Sequence, residues 1–548
     1  IEKDQQGTAN GFNYNYWSSS VGPIGGNIAT TGSGISSTNA SNRIEDFLYD
    51  GSISSTPNPM TFESVGYNFT PPLMGPPGIL KIFTYWLYKF NGPADDYNAC
   101  VKIDETTDLL AGEGFTMKGT AGSVPVSDKQ NYVFKGLPNN GDIILALDKS
   151  SGNVERLIGN PYPSAIDAYE FILDNISTTE GGYNTNTVIN GALYFWDHFG
   201  EENSHTLKDY VGGYATYNLT GGAPAISNDV RINNTGAAGT KVPGQFIPVN
   251  QGFFVSTKLE TNPNDNLGTI SSVDGGTIIF KNSQRVYATE LDESSPGIPS
   301  SVFMKSSKDK SSSKIANNRP KNVTPTIRLV YDSPIGYHRQ LVIGANNKAS
   351  NGFDLGYDAF MVDVNKEDMY WNFSNSKFVI QGVADFNASQ EFSLGLIVKN
   401  SGVAKIKLDA FENMESNIPV FIKDELTGET KNINSEPFEV NLEPGVYNDR
   451  FKLVFKAVEE SSIEVESEVA ESAVTISYNT TSSELSILNN DEIKIKDLVL
   501  YDILGNEIKT KKLNSRSNAS IHVSAITGLY IVKLNTEKGI VTKKIIIE

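Results

Sequence analysis

The chain is poor in the residues that most often carry chemistry. Among 548 residues there is one cysteine, Cys100, and there are four histidines. A lone cysteine excludes an intrachain disulfide. An exported chain of this size without disulfides fits a bacterial route better than a eukaryotic one. Cations are scarce beside anions: 45 Lys and Arg face 64 Asp and Glu, a formal charge of −19 with an isoelectric point near 4.8. That sign argues against nucleic acid or an anionic membrane as the main partner. No apolar run approaches the roughly 18 residues of a membrane-spanning helix, so no transmembrane segment is expected. The opening Ile1-Glu2-Lys3-Asp4 is polar and lacks a leader pattern, as in a processed product or the tail of something longer.

What is abundant points to strands and turns. Gly numbers 48 and aromatics make up 10%, and Asn, Ser and Thr are frequent, a composition suited to turn-rich β-structure. The length allows about three or four domains with sizeable cores. The expected fold is all-β: tandem β-sandwich or jelly-roll-like domains ending in a small Ig-like β-sandwich.

Residues 1–300 form the first expected domain, rich in Gly and aromatics. The alternation in Ile79–Phe90 predicts one long half-buried strand, and Asn139-Asn140-Gly141 between apolar runs predicts a hairpin turn. Near-helical spacing over Ala165–Asn175 predicts a helix capped by Ser164. Residues 301–325 turn abruptly to Lys and Ser, including Lys305, Lys308, Lys310, Lys314, Arg319 and Lys321, and read as a solvated loop or linker. Nine alternating runs across 326–456 read as a β-sandwich. Residues 457–472 hold Glu459, Glu460, Glu464, Glu466, Glu468 and Glu471 with no Lys or Arg; their mutual repulsion predicts an extended acidic linker.

Residues 473–548 complete the chain. Val499, Tyr501 and Ile503 fall on one face of a strand that Gly505-Asn506 would turn, and Tyr530, Val532 and Leu534 alternate with Ile531 and Lys533 before a turn at Thr536–Gly539. About seven short strands in roughly 75 residues suit a small sandwich. The ordered set Leu500, Tyr501, Asp502, Gly505, Gly528, Tyr530, Lys533, Lys543 and Lys544 resembles the type A C-terminal sorting domain of the Bacteroidota type IX secretion system. The resemblance implies a cargo protein, secreted or held at the cell surface, whose sandwich is recognised by an outer-membrane shuttle barrel and translocon. It further implies cleavage by a surface sortase and attachment to lipopolysaccharide. Upstream, Asn15–Ser19, Gly112–Thr120, Gln130–Ile143, Gly159–Ala168, Leu193–His198, Gly212–Asn218, Ile247–Val255 and Ile278–Val286 together resemble a module of large Bacteroidota surface proteins. Asn351–Phe360 and Gly445–Phe455 resemble the penultimate module of such cargo. The resemblance of the upstream stretches brings no assigned catalysis.

No catalytic set is read. Trp196-Asp197-His198, followed by Glu201, Glu202 and His205, is the densest polar constellation, but it lacks the spacing of a helix-borne metal motif. Cys100 has no nearby base and reads as a small buried hydrophobe. Asn262, Asn264 and Asn266, with Asp274 beyond, alternate oxygen ligands as a calcium loop would, without the terminal Glu of an EF-hand; an Asx-rich turn is the plainer account. No cofactor is otherwise expected. Trp17, Trp86, Trp196 and Trp371 are candidate sugar-stacking residues, each more simply a core residue. The expected function is therefore non-enzymatic: an exported cargo whose body is adhesive or structural. The alternative is a carbohydrate-binding or carbohydrate-active protein with a glycan partner, its active part upstream or in 1–300.

Overall fold

Side chains alternate faces along every strand, so the placement of large apolar residues decides how the sheets stack. The computed structural model describes residues 1–3, 7–24, 39–53, 55–66, 80–94, 96–150, 152–200, 203–227, 232, 235–239, 241–259, 273–288, 323–362, 364–374, 376–414, 418–456, 474–479, 482–502, 507–523 and 528–547. The fold is all-β with little helix. Contacts divide the chain into two compact units, Ile1–Ala457 and Val458–Glu548.

The first unit is built on a nine-stranded and an eleven-stranded sheet. In the nine-stranded sheet the order is Gly222–Ala223, Gly212–Tyr217, Leu193–His198, Gly252–Ser256, Val154–Gly159, Tyr88–Pro93, Phe115–Lys118, Tyr14–Trp17, with Cys100–Lys102 paired to Tyr88–Pro93. The sheet curls until its end strand returns to its middle: Trp17 bridges Gln251, and the Ser18 N–H donates to the Asn250 carbonyl at 3.0 Å. Gly252 allows this approach, since a Cβ there would sit 2.7 Å from the Trp17 nitrogen. Phe253, Val255, Leu193 and Phe195 point from one face into the core. Helix Ala168–Asn175 packs there, its Phe171 ring 5.7 Å from Phe253 and 4.8 Å from Phe280.

The eleven-stranded sheet runs through 326–454 in the order Thr430–Asn432, Phe421–Asp424, Gly445–Val454, Glu391–Val398, Asp368–Phe373, Ser376–Val383, His338–Ala345, Thr326–Asp332, Gly402–Glu412, Phe438–Leu442, with Ala359–Phe360 on Ser376–Val383. Its two ends fold over each other, bringing the Phe438 and Phe451 rings to 5.9 Å. This is the sandwich expected for 326–456, made from one continuous sheet.

The stretches expected as separate domains, 1–300 and 326–456, share one hydrophobic cluster running from Ile143 to Phe455. The join is backbone-close. Leu219 N–H donates to the Gly356 carbonyl at 2.8 Å, Thr220 Oγ1 to the Tyr357 carbonyl at 2.6 Å, and Arg328 Nη1 to the Gly222 carbonyl at 2.8 Å. The expected 301–325 linker lies outside the described residues except for Val323–Pro325, and the acidic 457–472 stretch lies wholly outside them.

Three local expectations are corrected. The long strand over 79–90 is broken: a 3-10 turn at Thr84–Trp86 separates Lys81–Phe83 from Tyr88–Pro93, and Trp86 and Leu87 are both buried against the alternation. The helix starts at Ala168, and its cap is Asp167, whose carboxylate accepts the Tyr169 and Glu170 N–H groups; Ala165–Asp167 is a strand. Asn139-Asn140-Gly141 does not make a hairpin. Asn139 is buried, donates to the Ser19 and Pro161 carbonyls, and sends the flanking strands Leu137–Pro138 and Ile143–Leu147 into different sheets.

The second unit is a seven-stranded sandwich. Val474–Asn479, Glu484–Asn489 and Ala519–His522 form one sheet; Glu507–Ser515, Ile495–Asp502, Gly528–Thr536 and Gly539–Ile547 form the other. Leu485, Ile487, Leu498, Leu500, Val532 and Leu534 are fully buried between them. Among the described residues no helix is long and apolar enough to cross a membrane.

Candidate functional site

The opposite face of the curled sheet is also aromatic, with Tyr194 buried and Tyr214 and Phe254 partly so. Residues directly opposite in register share a face, and the register places Thr116 beside both Tyr16 and Tyr88, Phe254 beside both Leu157 and Tyr194, and Trp196 beside Tyr214. These side chains, with Tyr14, Tyr97 and Tyr210, line an open cavity of about 200 Å³. A solvent face of an antiparallel sheet is ordinarily polar. Here Tyr16, Tyr88, Trp196, Tyr214 and Phe254 are only half-buried, and Tyr97 is 54% exposed. An apolar face left open in this way is the candidate site.

The rings are fixed by one another. Tyr16 lies 6.3 Å from Trp196 in a stacked arrangement and 5.6 Å edge-on to Phe254, while Trp196 meets Tyr214 edge-on at 5.3 Å. Their polar ends also pair: the Tyr16 and Tyr214 hydroxyls are 2.8 Å apart, and Asn190 Nδ2 donates to the Tyr194 hydroxyl at 2.9 Å. Charge around the cavity is balanced, with Lys89 and Lys258 against Asp96 and Glu155, and Lys89 already lies 3.4 Å from Glu113.

Beside the cavity, Lys118 is buried in a box of rings. Its Nζ stands 3.6 Å from the Trp86 centroid, 4.4 Å from Tyr14 and 5.0 Å from Tyr210, bonds the Tyr210 hydroxyl, and lies 3.1 Å from His205 Nδ1. Burial pulls this amine well below its ordinary range, while the ring faces favour its cation. Burial also raises the Tyr14 and Tyr210 phenols, so both stay protonated at neutral pH. His198 packs 5.3 Å from Tyr210, and burial, with Lys118 next, lowers it to about 4. Asp197, buried and raised by desolvation, pairs with Lys241 at 2.9 Å. The constellation around Trp196 thus divides: Asp197 and His198 serve packing and an ion pair, His205 stacks on Trp86 at 4.7 Å, and Trp196 alone lines the cavity. Glu201 and Glu202 lie outside the described residues.

The remaining candidates scatter. Trp17 and Trp371 are core residues, 1% and 0% exposed, and Trp86 is buried against Lys118. Cys100 is half-buried and lines the cavity instead of filling the core. Of the calcium candidates, Asn262, Asn264 and Asn266 lie outside the described residues; the Asp274 carboxylate accepts the Thr187 N–H at 3.0 Å. Among the described residues no group of His, Cys, Asp and Glu is arranged to hold a metal. Trp196, named from the sequence as a stacking candidate better explained by the core, lines the cavity, but the cavity itself and its tyrosines were missed. Its signal was aromatic residues at both parities of one strand, as in Leu193–His198, a pattern that leaves open which face meets a core.

In the sandwich the motif residues divide by face. Leu500 and Tyr530 point into the core. Val499 stands opposite Lys533, Tyr501 opposite Ile531, and Ile531 opposite Lys544, which makes one outward row. Lys543 stands opposite buried Val532 and so lies on the other face from Lys544, at the rim strand. Gly528 opens the Gly528–Thr536 strand and Asp502 ends Ile495–Asp502, opposite Tyr530. Gly505 lies outside the described residues.

This sandwich coincides with a match to the family model described as a secretion system C-terminal sorting domain, over residues 470–548. The protein is a type IX secretion cargo, secreted or displayed at the cell surface. A second model, described as a domain of unknown function (DUF8693), matches residues 78–455, and the chain belongs to that family. It crosses the 301–325 stretch, in agreement with the single hydrophobic cluster on both sides of it. No curated protein matches the chain. Among solved structures, one titled "Biofilm associated protein - BSP domain" aligns over 84% of this chain and 87% of its own at 8% identity, with a TM-score of 0.12, too low to indicate a common fold.

Proposed function

We propose that the exported body is a non-enzymatic adhesive module and that the open aromatic face of the curled sheet is where it holds its ligand. One observation carries this reading: a sheet with one aromatic face in the core carries a second aromatic face that is left open. The sorting sandwich supplies the route outward. Recognition by an outer-membrane shuttle barrel falls to the outward row of Tyr501, Ile531, Lys533 and Lys544, with sortase cleavage and lipopolysaccharide attachment following at the surface.

The test is adhesion of cells displaying the full chain, against cells displaying Trp196→Ala at equal surface density. Loss of attachment with the variant is the expected result; equal attachment overturns the adhesive reading. The carbohydrate-active alternative keeps a foothold in Asp96 and Glu155 at the cavity. Turnover of a glycan by the full chain, abolished by Glu155→Gln, would replace adhesion with catalysis.

A further inference from the structure

Resting on the reading of the curled-sheet cavity as the ligand site, we infer that its ligand is a neutral saccharide, seated as one or two sugar rings against Trp196 and the tyrosines beside it.

Size comes first. At about 200 Å³ the cavity is smaller than the roughly 300–1,000 Å³ of sites that enclose drug-sized ligands. It therefore suits a short segment, with the rest of a longer chain passing out through the open side. Lining chemistry comes second. Ring faces present apolar area, while the Tyr16, Tyr194 and Tyr214 hydroxyls sit among them, the Tyr194 hydroxyl positioned by Asn190. A sugar ring is amphipathic in the same sense, with a C–H face to lay on a ring and hydroxyls at its edge. An acyl chain has no hydroxyls to match the polar atoms that break up this apolar lining. Charge comes third. Two amines and two carboxylates surround the cavity, and Glu113, which Lys89 approaches at 3.4 Å, is itself paired with Arg156 at 3.3 Å. A uronate or sulfated sugar would find no cationic excess, and a polyamine no anionic one.

Preorganisation supports the same occupant. Trp196 is held by Tyr16 and Tyr214 at 6.3 and 5.3 Å, so its ring need not be ordered on binding.

The experiment titrates the full chain with neutral disaccharides of glucose, galactose, mannose and N-acetylglucosamine, with a uronic acid disaccharide, and with an octyl-chain detergent below micelle formation. Binding is read by saturation-transfer NMR and by tryptophan fluorescence. At least one neutral disaccharide is expected to bind, with Trp196→Ala weakening it about tenfold or more. Tyr16→Phe combined with Tyr214→Phe keeps both rings and removes the hydroxyl pair; it should weaken binding with an unchanged melting temperature, which keeps the test valid if Trp196→Ala folds poorly. No neutral disaccharide binding, or equal binding by the acidic sugar or the detergent, overturns the inference. Adhesion that depends on Trp196 but is not competed by any neutral saccharide would sink the saccharide and leave the adhesive reading standing. Saccharide binding that is lost in Trp196→Ala while cells still adhere would do the reverse.

Discussion

Arg339 and Asp368 illustrate what a single buried pair contributes to this body. Arg339 Nε and Nη2 each lie 2.7 Å from a carboxylate oxygen of Asp368, and the two residues are 5% and 0% exposed. Asp368 also accepts the Asn365 N–H at 2.8 Å, so its carboxylate is committed to this position. Arg339→Met strands that charge without its partner and should lower stability by about 3–5 kcal/mol in urea unfolding. Adding Asp368→Leu should recover most of the loss, because the uncompensated charge is then gone. His198 makes a different, pH-dependent contribution. Burial first, then Lys118, lowers its folded pKa to about 4 from an ordinary 6.5. Between those values the unfolded chain binds a proton that the folded chain refuses, so stability falls as pH drops from 6.5 towards 4 and loses no more from this group below that. The full effect is on the order of 3 kcal/mol. Unfolding of His198→Gln across pH 4–7 should show a shallower decline than the parent, and an identical pH profile would remove His198 from the account.

Strands and the one longer helix respond to a different kind of change, because each has an inner and an outer row. In the sorting sandwich, Val532 and Leu534 are fully buried while Lys533 between them faces outward opposite Val499. Lys533→Glu with Lys544→Glu should move stability by no more than about 0.5 kcal/mol, yet reduce export of the full chain in a type IX-competent host. Undiminished export would take the outward row out of shuttle recognition. For the helix, Asp167→Ala removes the side chain that accepts the Tyr169 and Glu170 N–H groups and should cost about 1 kcal/mol, measured by urea unfolding. These rows also mark how far the sequence could be read. Strands with one wholly apolar parity and one carrying a charge, such as Tyr530–Leu534 with Lys533 in the outward row, were legible because period two alone separates their faces. The break at Thr84–Trp86 was not, since Phe83, Trp86 and Leu87 are buried on both sides of a turn that no Gly or Pro announces. Asp167 was passed over for Ser164 because the helix begins one strand later than its apolar spacing implies. The cavity depends on a sheet curling until Trp17 meets Gln251, a long-range closure that local pattern does not encode.

At the scale of the whole molecule, the cores decide what unfolds together. Phe253 belongs to the stretch expected as one domain and Trp371 to the stretch expected as another, yet both sit in the same hydrophobic cluster. Leu534 belongs to the separate cluster of the sorting sandwich. Large-to-small substitution in a packed core costs about 3–5 kcal/mol for Phe or Trp and about 2–5 kcal/mol for Leu. Calorimetry of the full chain should therefore resolve two transitions. Phe253→Ala and Trp371→Ala should each lower the larger one and leave the smaller in place, whereas Leu534→Ala should lower only the smaller. If Phe253→Ala and Trp371→Ala instead moved two different transitions, the body would be two domains in contact, and the hydrogen bonds from Leu219, Thr220 and Arg328 across their join would be a docking contact. A shared transition makes that join part of the fold, so that the curled sheet, whose inner face is packed by Phe171 of the helix, unfolds together with the eleven-stranded sheet that its Gly222–Ala223 edge meets.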